Sequence, residues 1–159
     1  MRVAIVAIGR LKAEAERALV ARYAERIAGQ RSASIGPLRV IELPESQLAS
    51  AAERRLAEGR HLLRYVTAGV SSIALDERGK LFSSRDLASW LGKRRDAGCR
   101  DVAFLIGGPD GHAAAVLDEA DLVLSLGPLT LPHGLARVVL AEQIYRATTI
   151  LTGHPYHRD

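Results

Sequence analysis

Aromatic residues and cysteine are scarce in this chain of 159 residues. Phe, Tyr and Trp together make up 4% of it, which argues against RNA-binding modules that stack bases on aromatic side chains. The single cysteine, Cys99, excludes an internal disulfide framework and a zinc site built from several cysteines. No base lies near it in the sequence, so we interpret it as a buried or incidental thiol. Because a single cysteine cannot form a disulfide within the chain, we expect a reducing compartment, the cytoplasm.

Long apolar runs, internal repeats and low-complexity segments are also missing. The apolar run at residues 3–8 is too short to span a bilayer, and no cleavage site for a signal peptide follows it. The run is typical of a buried strand, and we predict no membrane association. The length suits one domain with a full core, and no linker interrupts the chain, so we predict a single domain over residues 1–159.

Positive charge is in moderate excess, with a formal net charge of +4. An excess of this sign favours a polyanionic partner, because lysine and arginine neutralise phosphates and release counterions. Many proteins with a similar charge bind no nucleic acid, so the charge alone does not identify the partner.

Strand-like and helix-like patterns alternate along the chain. Apolar, β-branched runs predict strands at residues 3–8, 38–43, 70–75, 101–106 and 122–126, and helical spacing predicts helices at 12–28, 46–65, 83–97 and 133–152. Ser83 and Asp86 have the spacing of a helix capping box, and residues 76–80 are predicted to form a turn. The alternation indicates an α/β fold with a parallel sheet covered on both faces.

Three loops follow the carboxyl ends of predicted strands, where open α/β sheets bind ligands. The first begins at Leu75 and Asp76. The second, residues 107–111, resembles an anion cradle because it is rich in glycine, but it lacks the GxxxxGK[ST] and GxGxxG patterns, and a tight turn is the simpler interpretation. The third, residues 126–133, is apolar and suits either an adenine ring or packing beneath the last helix.

The last six residues, 154–159, are chemically rich for a chain terminus. They include His154, Tyr156, His157 and Arg158, whose side chains titrate, form hydrogen bonds or bind phosphate. A solvated polar end explains the same composition equally well. The two histidines have few carboxylates near them and are a poor template for zinc, so we predict no metal site.

Several motifs, taken in order, resemble one family over essentially the whole chain. They are LD at 75–76 with GK at 79–80, LIGGPDG at 105–111, LTLPH at 129–133, the set Arg137, Glu142 and Arg146, and HPYHR at 154–158. This combination resembles ribosomal RNA large subunit methyltransferase H, the pseudouridine N3-methyltransferase family of the SPOUT superfamily. The resemblance implies a parallel-sheet SPOUT fold with a deep C-terminal trefoil knot, a homodimer, and S-adenosyl-L-methionine as cofactor.

The implied reaction is methylation of N3 of pseudouridine 1915, in helix 69 of 23S rRNA within the 70S ribosome. By position, the resemblance assigns cofactor contacts to Leu75, Gly107, Leu126, Gly127, Pro128, Leu129, Thr130 and Leu131. It assigns substrate binding to His133, Arg137, Glu142, Arg146 and His154, and catalysis to Tyr156, His157 and Arg158, in a tail that completes the partner subunit's site. Two other interpretations stay open: a non-catalytic, basic ribosome-binding factor, and a nucleotide-binding enzyme that uses residues 107–111 for phosphate.

The chain departs from the family pattern in two places. Gly127-Pro128 stands where family members vary, which leaves the backbone of that loop unspecified. Residues 45–52 lack the lysines that some relatives carry there, so we do not expect this segment to contact RNA.

Overall fold

Five parallel strands form one sheet in the computed structural model, which describes residues 1–157. The elements are β1 (Arg2–Ile8), α1 (Glu14–Gly29), a 3₁₀ turn (Arg31–Ala33), β2 (Leu38–Leu43), α2 (Ala51–Leu63), β3 (Val70–Leu81), α3 (Ser84–Asp96), β4 (Asp101–Ile106), α4 (Ala114–Glu119), β5 (Leu122–Ser125) and α5 (His133–Leu151). The strand order is β2-β1-β4-β3-β5, and every neighbouring pair is parallel. The predicted parallel α/β sheet is confirmed.

Helices cover both faces of the sheet, because successive side chains of a strand point to opposite sides. Phe104 joins the core beneath α1, α3 and α5, while the next residue, Leu105, joins the core beneath α2 and α4. Both side chains are fully buried. The central strands are therefore apolar at nearly every position, which is why they could be recognised as short continuous runs.

Helix α5 lies between α1 and α3 and packs against both. Its buried residues include Leu140, Ile144 and Ala147, so most of its apolar surface is covered within the chain. Leu135, in the first turn, is 44% exposed and is the exception. No helix within residues 1–157 is both long enough and apolar enough to span a membrane.

Two capping boxes determine where helices begin. Ser83 and Asp86 form the predicted box at the start of α3. A second box begins α2: the Ser50 hydroxyl accepts a hydrogen bond from the Glu53 N–H at 3.2 Å, and the Glu53 carboxylate accepts one from the Ser50 N–H at 3.1 Å. The predicted start of this helix at residue 46 was wrong, because this box places the start at Ala51. The short helix α4 was not predicted.

The chain does not turn at residues 76–80 as predicted, because β3 continues to Leu81. Leu124 of β5 pairs with both Leu75 and Lys80, so residues 76–79 leave the regular ladder and bend over the end of β5. At Gly79 the two backbones are so close that a Cβ atom would lie 2.6 Å from the carbonyl carbon of Leu124. Glycine permits this approach, which brings residues 76–78 to the carboxyl edge of the sheet. The predicted knot stays a prediction.

Candidate functional site

A cavity of about 820 Å³ lies at the carboxyl ends of β3, β4 and β5. Three segments at the strand ends line it: residues 75–78, residues 106–112, and residues 124–131 except Pro128. The helices contribute Arg55, Ala114, Leu117, His133 and Ala136. The volume falls in the range of small-molecule sites, which is roughly 300–1,000 Å³. The structure thus brings together the three loops that the strand pattern placed at this edge.

The predicted cofactor residues lie around this cavity, with one exception. Leu75, Gly107, Leu126, Gly127, Leu129, Thr130 and Leu131 all line it, whereas Pro128 does not. Leu129 is 79% exposed, so the apolar loop after β5 is not buried beneath α5. An exposed leucine at the edge of a cavity is suited to covering an apolar ligand.

The glycine-rich loop at residues 107–111 folds tightly upon itself. The Gly111 N–H donates to the Gly108 carbonyl at 2.9 Å, and a Cβ on Gly107 would lie 3.0 Å from the carbonyl carbon of Gly111. A Cβ on Gly108 would lie 2.5 Å from the buried carboxylate of Glu58. The tight-turn interpretation therefore explains these glycines through contacts within the chain.

Helix α2 holds this loop in place through two arginines. The Arg54 guanidinium donates to both carboxylate oxygens of Asp110, at 2.7 and 3.2 Å, and Arg55 donates to the Asp110 carbonyl at 3.4 Å. The hydrogen bonds from Arg54 lower the pKa of Asp110. Sequence reasoning missed this contact, because the helix pattern does not indicate which loop its arginines reach.

Two further titratable residues in the cavity wall were not predicted as site residues. The Asp76 carboxylate accepts hydrogen bonds from the Arg78 N–H and Nε at 3.0 and 3.2 Å. Burial acts to raise the pKa of Asp76, but these hydrogen bonds outweigh it and the pKa is lowered. Burial lowers the pKa of His112, with Asp76 acting in the opposite direction. A signal for Asp76 existed in its position directly after the predicted strand at residues 70–75.

Arg137, predicted to bind substrate, is buried in the structure, with 2% of the residue exposed. Its guanidinium donates to the carbonyls of Ile8 and Gly9 at 2.8 Å and to the Glu42 carboxylate at 2.9 Å. Burial lowers the pKa of Arg137. Arg137 thus attaches α5 to the carboxyl ends of β1 and β2, and within the described chain it does not line the cavity.

The tail, as far as His157, packs against α5 of the same chain. The Tyr156 hydroxyl donates to Glu142 at 3.0 Å, and Arg146 donates to the same carboxylate at 2.6 Å while its guanidinium carbon lies 4.9 Å from the centroid of the Tyr156 ring. The Tyr145 ring meets the Tyr156 ring edge-on, with 4.7 Å between the two ring centroids. Burial, followed by the hydrogen bond with Glu142, raises the pKa of Tyr156. The structure therefore joins the predicted residues Glu142, Arg146 and Tyr156 in one cluster.

The other predicted substrate and catalytic residues occupy separate places. His133, the first residue of α5, lines the cavity. His154 is exposed and its Nδ1 accepts a hydrogen bond from the Tyr156 N–H at 3.2 Å, and His157 is partly buried. Arg158 lies outside the described residues. Within residues 1–157, nothing after Ala136 lines the cavity, and no cluster of His, Cys, Asp or Glu suits a metal ion.

Comparison with known proteins gives matches over the full length of the chain. The family described as "Predicted SPOUT methyltransferase" matches residues 1–157. Ribosomal RNA large subunit methyltransferase H of Xanthobacter autotrophicus is 52% identical over 160 residues, covering 99% of each chain. The protein of the same name from Allorhizobium ampelinum is 48% identical and covers 100% of each chain.

A solved structure is similar at a much lower level. It is the SpoU methyltransferase AviRb from Streptomyces viridochromogenes in complex with the cofactor AdoMet, with 13% identity and a TM-score of 0.44. The match covers 91% of this chain and 57% of the AviRb chain.

Proposed function

The chain belongs to the SPOUT methyltransferase family and, within it, to the ribosomal RNA large subunit methyltransferase H family, and from this we propose its reaction. It transfers a methyl group from S-adenosyl-L-methionine to N3 of pseudouridine 1915, in helix 69 of 23S rRNA within the 70S ribosome. This substrate places the activity in the cytoplasm. The observation that carries the proposal is the match over nearly the whole chain to relatives named ribosomal RNA large subunit methyltransferase H, and the cavity at the carboxyl edge offers a place for the cofactor.

The cavity suits the cofactor in both size and chemistry. Leu126, Leu129 and Leu131 supply apolar walls for an adenosine, and Gly107 and Gly108 add to the lining. We assign adenosine binding to residues 126–131 and the approach of the backbone to Gly107. When bound, S-adenosyl-L-methionine supplies a methyl group on a positively charged sulfur, which needs placement rather than activation.

The protein must mainly orient the base and accept a proton. N3 of pseudouridine is an imide nitrogen between two carbonyls, and it becomes a nucleophile when its proton leaves. His157 accepts or relays this proton, and Arg158 stabilises the negative charge that spreads to a base carbonyl. Tyr156 positions the base by stacking or by a hydrogen bond. The N3–CH₃ bond then forms as the S–CH₃ bond breaks, and S-adenosyl-L-homocysteine leaves.

These tail residues act in the cavity of a partner subunit in a homodimer. Two observations support this arrangement. Glu142 and Arg146 hold Tyr156 on α5 of its own subunit, and no residue from 137 to 157 lines that subunit's cavity. Leu81, Leu129 and Leu135, near the ends of β5 and α5, are 70%, 79% and 44% exposed, which suits contact with a second copy.

His133 lies at the cavity and we assign it to substrate binding.

The direct test is transfer of labelled methyl from S-adenosyl-L-methionine to ribosomes that lack the modification. We expect incorporation into 23S rRNA of 70S ribosomes, with little or none into free 23S rRNA or isolated 50S subunits. Ribosomes that already carry the methyl group are the matched control and should accept none. Ribosome binding without any transfer would support the non-catalytic factor instead, and stabilisation by ATP but not by S-adenosyl-L-methionine would support the nucleotide-binding enzyme.

A further inference from the structure

Asp76 is a carboxylate in the wall of the cavity for which the proposed mechanism has no use. It follows Leu75 directly and lines the same space. Its side chain is 10% exposed, so most of the carboxylate's hydration has been removed on folding. A carboxylate this buried is destabilising unless hydrogen bonds or a cation compensate for the lost water.

The hydrogen bonds of the chain itself favour the ionised carboxylate but reach only one of its two oxygens. Both hydrogen bonds from Arg78 go to Oδ1, and among residues 1–157 no hydrogen bond or ion pair reaches Oδ2. Arg78 is 77% exposed, so water screens its charge and the pair is weak. The folded chain therefore leaves one oxygen of a largely buried anion available to a group in the cavity.

The other titratable side chains in the cavity wall are less suited to bind a group in the cavity. Asp110 is also in the cavity wall, but Arg54 occupies both of its oxygens. Glu77 lines the cavity and is exposed to solvent. Both ring nitrogens of His112 are shielded from solvent, and burial lowers its pKa, which favours the neutral ring. Asp76 is thus the cavity carboxylate that combines burial with an available oxygen.

Building on the proposed function, we propose that Asp76 binds a positively charged group of the cofactor through its Oδ2 atom. S-adenosyl-L-methionine offers two such groups, the sulfonium and the α-ammonium of its methionine part. Either one is a cation that can form a charge-assisted contact with the available oxygen of an ionised carboxylate. Asp76 is then a cofactor-binding residue, in addition to the residues that line the adenosine side of the cavity.

The test compares three ligands by isothermal titration calorimetry with the full-length protein. S-adenosyl-L-methionine carries both cationic groups, S-adenosyl-L-homocysteine retains only the ammonium, and 5′-methylthioadenosine retains the adenosine and a neutral sulfur. Asp76→Asn keeps the size of the side chain and an acceptor for the Arg78 N–H, and Asp76→Ser is a second neutral variant. Glu77→Gln is the matched control, because it removes the same charge from the exposed neighbour.

Both Asp76 variants should bind S-adenosyl-L-methionine about tenfold more weakly, the loss typical of one charge-assisted hydrogen bond. The affinity for 5′-methylthioadenosine should change by less than about twofold, which also shows that the cavity is intact. A parallel loss for S-adenosyl-L-homocysteine identifies the ammonium as the bound group, and an unchanged affinity for it identifies the sulfonium. Glu77→Gln should leave all three affinities unchanged.

Three results would overturn the inference. These are an unchanged affinity for S-adenosyl-L-methionine in the Asp76 variants, an equal loss for 5′-methylthioadenosine, and an equal loss in Glu77→Gln. The second result would indicate a contact with the adenosine, and the third a general effect of charge. A wild-type protein that binds no S-adenosyl-L-methionine would overturn the proposed function as well, so the two failures are distinguishable.

Discussion

Arg137 is a buried cation whose hydrogen bonds hold two parts of the fold together. Its guanidinium joins α5 to the carbonyls that end β1 and to Glu42 of β2. The same Glu42 carboxylate accepts a hydrogen bond from the Leu11 N–H at 2.7 Å. These contacts determine where the first turns of α5 lie, and His133 at the cavity is in that part of the helix. Arg137 therefore helps to position His133 at the cavity, and its predicted role in substrate binding stays a prediction.

Replacing Arg137 tests this role. Arg137→Met keeps most of the length of the side chain but leaves Glu42 and two backbone carbonyls without their donor. We expect the free energy of unfolding to fall by about 3 kcal/mol, since removing one partner leaves the other uncompensated. Urea denaturation measures the change. Arg2→Met is the control, because the bidentate Arg2–Asp101 pair is exposed and screened by water, so its loss should destabilise the chain much less. Equal stability of the two variants would contradict the prediction.

Tyr156 gives a prediction about pH, because its pKa is raised in the folded chain. The folded state holds the phenol proton more tightly than the unfolded chain does. The resulting stabilisation is complete below the ordinary tyrosine pKa of about 10 and is lost as the pH rises through the folded value. The thermal stability of Tyr156→Phe should therefore fall less steeply above about pH 10 than that of the wild type. Parallel melting-temperature curves between pH 8 and pH 11 would count against this contact.

The end of β3 is the element that most affects the shape of the cavity. The segment bends over the end of β5 at Gly79, and it carries Asp76 and Arg78 into the cavity wall. A turn was predicted here because the residues are charged and contain glycine. Pairing with β5 keeps the chain extended, and a partner strand that lies far along the sequence leaves no local signal.

Gly79→Ala tests this crossing. A Cβ would lie 2.6 to 2.8 Å from backbone atoms of Leu124 and Ser125, and the strands can make room only by separating. We expect a loss of about 2 kcal/mol or more in the free energy of unfolding, together with weaker cofactor binding. Gly29→Ala is the matched control, because a Cβ there meets nothing within 4 Å. A stability like that of Gly29→Ala would show that the backbones can move apart without cost.

The proposed composite site involves two copies of the chain, and mixed dimers test it. One chain lacks residues 156–159, and the other carries Gly107→Val, whose side chain collides with the backbone of Gly111 and so distorts the loop that lines the cavity. Each variant alone should be inactive on 70S ribosomes. After unfolding and refolding together, about half of the dimers are mixed and each has one complete site, so activity should return to about a quarter of the wild-type value. No recovery despite confirmed mixed dimers would show that the tail does not act across subunits.

Local chemistry made much of the architecture predictable from the sequence. The strands are apolar because helices cover both faces of the sheet, and the α3 start follows from a capping box four residues long. The three loops around the cavity could be placed at one edge, because parallel strands all end there. The resemblance assigned cofactor contacts to seven of the residues that line the cavity, and substrate binding to His133 beside them.

The tertiary structure alone decided which distant residues meet. Arg137 and Glu42 are 95 positions apart, and Arg54 and Asp110 are 56 apart, so no periodicity relates them. The burial of Asp76 depends on β3 passing over β5, and the place of Tyr156 depends on the tail returning to α5. Local propensity acts over a few neighbouring residues, whereas these contacts arise only when the sheet has been assembled in its order β2-β1-β4-β3-β5.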